Sequence, residues 1–175
     1  MTLVADWGGA ESNSYIGLTA ANSFIGTAIF NHVEWDAASA QRREAALMEA
    51  TRDIDSYTYV GGRYYSTQML AFPRESQSEF PWDNTSSGST TFSVEHHRMQ
   101  VAVEQATCFQ ALWIMQNNGR DKHADAVSRG IKSWSESAAS TSESYTYGGG
   151  KLDRLCHQSM TLVGPWRTSK QIIRG

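Results

Sequence analysis

Apolar positions in the first sixty residues recur at helical spacing. Ala21, Phe24, Ile25, Ala28 and Ile29 mark one face of a helix over Ala20 to Phe30, with Thr19 as its N-cap. Gly26 weakens this helix by roughly 1 kcal/mol relative to Ala. A stronger pattern starts at Asp36 or Ser39 and runs to about Ser56. Its buried stripe is Ala46, Leu47, Ala50, Ile54 and Tyr57, and its wet side is Arg42, Arg43, Glu49, Arg52 and Asp53. Gly61-Gly62 closes the unit, because glycine tolerates the positive φ of turns.

Ser66 to Ala71 reads as a short helical turn that Pro73 stops. From Glu75 to Thr91 the chain turns to Ser, Thr, Asn, Gly and Pro, with Phe80 and Trp82 inside, and predicts a long surface loop. The longest helix is expected over Val94 to Asn117, with Ser93 as N-cap and Asn118-Gly119 as its end. Met99, Ala102, Ala106, Phe109 and Trp113 line one face, and Val101, Cys108, Leu112 and Met115 the next. A stripe this wide implies a central core helix, or a core helix that also meets a neighbouring subunit.

The period then changes to two. Ile131 to Glu136 and Ser142 to Tyr147 alternate, which predicts a two-stranded ribbon within about 128–147 carrying Trp134, Tyr145 and Tyr147. Such a ribbon must lean on something to be stable. Gly148-Gly149-Gly150 reads as a hinge. Leu152, Leu155, Cys156, Ser159, Leu162 and Val163 predict a last amphipathic helix stopped by Gly164-Pro165. The fold class is mainly α: a bundle of four to five helices, a small β-ribbon and an extended C-terminal tail. Residues 1–164 form one domain and 165–175 the tail.

Composition narrows the class. Ser and Thr make up 35 of 175 residues, while charged residues are 19% against a typical ~25%. No apolar run approaches ~18 residues, so no membrane span is expected. The N-terminus lacks the basic start and apolar run of a secretory signal, and two cysteines make no disulfide framework, so assembly inside a cell is expected. The net charge of −3 hides a split. Residues 1–60 hold eight acids and three bases, whereas residues 154–175 hold four bases and no acid. A basic tail on an acidic body reads either as a frayed, solvated terminus or as a segment that docks on an acidic partner or nucleic acid.

Chemical motifs are missing. There is no GxxxxGK[ST], GxGxxG, GxSxG or HExxH. Cys156-His157 and His96-His97 are adjacent, and adjacent helical side chains diverge, so no metal site or cofactor is expected. Cys108 falls in a buried-looking helix, and buried thiols without a cationic neighbour are inert. No enzyme is expected. Phe72 before Pro73 must be extended, which ends a helix and projects Arg74. The reading favoured for this stretch is a core anchor. In that reading Leu70 and Phe72 pack, Gln68 hydrogen-bonds backbone and Arg74 pairs with Asp53 or Asp55.

One stretch carries a resemblance. Ala10 to Ile16, Leu18 to Phe24, Trp35, Glu44 to Asp55, Gly62-Arg63 and Thr67 to Arg74 follow one another in the order and spacing of a tailed-phage family. The chain resembles the head–tail connector adaptors, which carry the description DnaT-like single-stranded-DNA-binding proteins. Phe72 stands where that family usually has Trp. The resemblance implies a structural virion protein of the neck, assembled in the bacterial host cytoplasm. It implies a ring of neighbouring copies, typically about twelve, beneath the portal protein. A downstream connector, stopper or tail terminator protein meets the lower face, and genomic DNA passes through the lumen without sequence-specific binding. The C-terminal segment grips the portal, which makes Trp166, Arg167, Lys170, Ile172, Ile173 and Arg174 the expected anchors. Phe80, Trp82, Trp134, Tyr145 and Tyr147 are expected at subunit or tail-protein contacts. The alternative is a single-stranded-DNA-binding protein, which requires exposed aromatics on a basic groove.

Overall fold

The computed structural model describes residues 2–75, 89–116, 133–138, 141–146 and 155–168, with side chains for all but 89–95 and the two strands. The chain is mainly helical. Helix α1 spans Leu18–Ala28, α2 Val33–Asp36, α3 Ala40–Asp55, α4 Ser89–Gln116 and α5 His157–Val163, followed by a 3-10 turn at Gly164–Trp166. Strands β1 (Ser133–Ala138) and β2 (Thr141–Thr146) pair antiparallel, with Trp134 opposite Tyr145.

Several boundaries differ from the periodicity for local reasons. Helix α1 begins two residues early, with Gly17 at the N-cap and Thr19 inside the first turn. Helix α3 starts where its cap chemistry says, since the Ser39 hydroxyl accepts from the Arg42 amide at 3.3 Å. Helix α2 has too few residues to show a period, yet it buries Trp35. Ser93 lies inside α4 rather than at its cap. The last helix is shorter than expected, because Cys156 occupies its N-cap position in extended conformation. The α-helix stops at Val163, where Gly164-Pro165 predicts, and Pro165 sits in the first turn of the 3-10 helix that follows, where it forfeits no needed N–H. Ser66 to Ala71 is not helical. The Gln68 side chain takes the backbone groups there that a helix would have used.

Helix α4 is the axis, as the two-faced stripe predicts. One side of it, with Cys108, Ala111, Leu112 and Met115, packs on Ile25, Trp35, Leu47 and Ala50 from α1, α2 and α3. The other, with Met99, Val103 and Ala106, packs on Tyr15, Ile54, Tyr59, Phe72 and Val163. Each Leu, Ile, Val, Phe or Met side chain withdrawn from water here contributes about 1.5–3 kcal/mol, and each Ala less.

Several polar groups caught between these elements are paired, as burial demands, although the Arg43 Nε is buried without a partner. Gln110 is fully buried and ties three elements together: its amide donates to Asp53 of α3 at 2.9 Å, and its carbonyl accepts the Cys156 N–H at 2.8 Å. The Ser159 hydroxyl donates to the Ala106 carbonyl at 2.7 Å. At the other end, Asn22 accepts from the Trp35 indole at 2.9 Å and from Arg43 at 3.1 Å.

Candidate functional site

The motif residues Gln68, Leu70, Phe72, Pro73 and Arg74 do converge on one place. Gln68 is 3% exposed and acts as a post inside its own loop. Its carbonyl accepts the Tyr65 N–H at 2.9 Å, and its amide donates to the carbonyls of Leu70 and Pro73, each at 2.9 Å. Phe72 sits edge-on to Tyr15, Tyr59 and Trp166. The Phe72-Pro73 peptide is cis.

Arg74 neither projects nor pairs with Asp53 or Asp55. Its guanidinium fork donates to the carbonyls of Val60 at 2.6 Å, Ala71 at 3.1 Å and Tyr59 at 3.2 Å, and to Gly61. A turn that shows several carbonyls to one point suits a planar five-donor cation better than a carboxylate does. Burial lowers the Arg74 pKa. Gly61 holds a positive φ of 76° in that turn, which a side chain would oppose.

Below the loop lies a pair that the periodicity did not reveal. The Tyr15 hydroxyl donates to the Asp55 carboxylate and accepts the Phe72 N–H at 3.2 Å. The second Asp55 oxygen accepts the Ala71 N–H at 3.1 Å. Burial raises the Asp55 pKa, against the lowering pull of the Tyr15 and Ala71 hydrogen bonds and the Arg63 and Arg74 charges. Burial and then the Asp55 charge push Tyr15 well above its ordinary value. Both residues stand inside the motif order read above, so the order was the available signal.

The start of the C-terminal segment arrives at the same place from ninety residues away. Tyr59 and Arg167 form an antiparallel bridge, the Val60 N–H donates to the Trp166 carbonyl at 2.8 Å, and the Thr168 N–H donates to Thr58 at 3.0 Å. Trp166 packs on Phe72, and the Arg167 guanidinium stands 4.3 Å above the Tyr57 ring. These two expected anchors are therefore seated against the body. Lys170, Ile172, Ile173 and Arg174 lie outside the described residues. So do Phe80, Trp82 and Tyr147, and the side chains of Trp134 and Tyr145.

The loop, the Tyr15–Asp55 pair and the tail root form a brace. Their polar atoms are taken up by one another and by backbone. The arrangement fixes where residues 169–175 leave an acidic body. Among the described residues no group of three or more His, Cys, Asp or Glu is placed to hold a metal, and no helix is long and apolar enough to cross a membrane.

Residues 1–133 match the family model described as "Putative DnaT-like ssDNA binding protein", and the chain belongs to that family. No curated protein and no solved structure matches the chain.

Proposed function

We propose that the chain is a non-catalytic structural protein of the virion neck, an adaptor that forms a ring between the portal and the next connector or tail protein while DNA passes through. The observation that carries this reading is the tail root. Residues 169–175, with two bases and no acid, follow an acidic helical body at a point braced by backbone hydrogen bonds. A fixed exit followed by Lys170, Ile172, Ile173 and Arg174 suits a segment that docks on a partner, because Arg and apolar side chains together make strong contacts. The acidic body suits a lumen that must let DNA slide.

Co-sedimentation with portal particles tests the reading. A chain ending at Thr168 keeps the whole brace, so it is expected to stay folded and to lose portal binding. Undiminished binding by that truncated chain defeats the docking role.

The family description supports a second reading, binding of single-stranded DNA. One observation favours it: Tyr64 and Tyr65 are partly exposed beside Arg63, and His96 packs edge-on against Tyr64 with ring centroids 4.7 Å apart. Stacking aromatics beside cations are what such binding uses. Titration with a single-stranded oligonucleotide decides it. Tight binding that weakens steeply with salt selects this reading, and its absence leaves the adaptor.

A further inference from the structure

Residues 166–168 dock on the body the way a short peptide docks on a receptor. The backbone pairs first. The Trp166 carbonyl accepts the Val60 N–H at 2.8 Å, the Thr168 N–H donates to the Thr58 carbonyl at 3.0 Å, and Arg167 faces Tyr59 across an antiparallel bridge. The side chains then find seats. Trp166 stands edge-on to Phe72 with ring centroids 6.1 Å apart, and the Arg167 guanidinium lies 4.3 Å from the centre of the Tyr57 ring. Main-chain pairing that supplies affinity, with side-chain seats that supply selection, is the pattern of β-strand addition.

The receptor side is fastened by bonds that do not involve this segment. The Arg74 fork holds the Tyr59, Val60 and Gly61 carbonyls, the Tyr59 hydroxyl donates to the Ile54 carbonyl at 2.7 Å, and the Phe72 N–H donates to the Tyr15 hydroxyl at 3.2 Å. Helix α5, just before the segment, is held separately. Its Ser159 hydroxyl donates to the Ala106 carbonyl at 2.7 Å, and its Val163 is fully buried. Pro165 and Thr168 are exposed, and Trp166 and Arg167 are partly so. The segment can therefore leave at Gly164 while its seat and α5 both keep their own attachments.

We propose that the backbone at 58–60, with Tyr57 and Phe72, is a peptide-binding site for an extended Trp–Arg–Thr segment, filled here by the chain's own residues and open to the same residues of a second copy. A second copy carries the identical segment. It makes the same two main-chain hydrogen bonds and fills the same seats, which is the condition for exchanging an element between protomers. The resident segment is a competitor on a short tether, with an effective concentration on the order of millimolar. A dilute chain therefore keeps its segment at home, and exchange grows with concentration. The site is complete in one copy and needs no portal, so it stands apart from the adaptor reading.

Fluorescence anisotropy with a labelled peptide of residues 164–170, both ends blocked, tests the site on full-length chains. Two variants weaken the resident segment. Trp166→Ala removes the ring against Phe72, and Thr168→Pro removes the N–H that reaches Thr58. Circular dichroism and urea unfolding confirm that each is folded. A site filled from within shows an apparent affinity reduced by its open fraction. Both variants are therefore expected to bind the peptide about tenfold more tightly than the native chain, or better. A peptide with Ala in place of Trp166 is expected to bind none of them. Sedimentation velocity reads the second copy: the native chain is expected to associate as concentration rises, and excess peptide to dissolve the association. A peptide that binds neither variant, binds native and variant chains alike, or binds as well without its Trp overturns the site. A native chain that stays monomeric throughout, or association that excess peptide leaves intact, overturns the exchange. Portal co-sedimentation is scored independently. Its absence beside peptide binding sinks the adaptor alone, and portal binding without peptide binding sinks the site alone.

Discussion

Gln68 shows how one side chain can set a loop. It offers an acceptor and two donors, and the loop presents one amide and two carbonyls to them. Gln68→Leu keeps the volume and strands those groups, so urea unfolding is expected to show a loss of about 2–3 kcal/mol. Asp55 is a different case, since its cost depends on pH. Its pKa is raised in the folded chain, so the folded state holds a proton that the unfolded state releases in the ordinary carboxylate range. Stability from this group is full below that range and declines as pH rises through it toward the folded value. The stability of the native chain relative to Asp55→Asn is therefore expected to fall as pH rises from about 4, read by urea unfolding at several pH values. Burial pushes the Cys108 thiol up to about 12, with Glu104 adding to it. Both cysteines are buried, so neither is expected to react with a thiol reagent until the chain unfolds. The burial of Cys108 was readable from its place in an apolar stripe. The Tyr15–Asp55 pair was not, because forty residues separate its members and no period connects them.

At the scale of elements, α3 and α4 carried their own evidence. Ser39 caps α3 as its side chain predicts, and the double stripe of α4 meets two packed clusters. Short elements did not. Four residues of α2 make one turn, too little for periodicity to register. The Ser66–Ala71 segment has helix-compatible residues, but hydrogen bonds to Gln68 outcompete the helix. The 3-10 turn and the residues after it act as a strap across the Phe72 loop. Trp166→Ala removes the ring contact to Phe72 and is expected to cost about 2 kcal/mol, less than a fully buried Trp because Trp166 is half-buried. Limited proteolysis is expected to cut the C-terminal strap of that variant faster than that of the native chain, while α3 and α4 stay protected.

At the scale of the molecule, the tail has two parts with different roles. Trp166 and Arg167 belong to the body, and the portal contacts proposed above begin after Thr168. A chain ending at Gly164 is therefore expected to lose both stability and portal binding, while one ending at Thr168 loses binding alone. Comparing their urea midpoints with their portal co-sedimentation separates the brace from the grip.

The sequence by itself determined the helical class, the two long helices, the ribbon's alternation, the charge split and the motif order that marks the family. These are local periodicities, cap chemistry and counts, and each is complete within a short stretch of chain. Only the tertiary structure decided that Arg74 turns inward to carbonyls, that Tyr15 closes on Asp55, and that Trp166 meets Phe72. Those contacts join residues far apart in the chain. Their partners are chosen by how helices pack and which backbone groups are left over, and neither is written in the spacing of neighbouring residues.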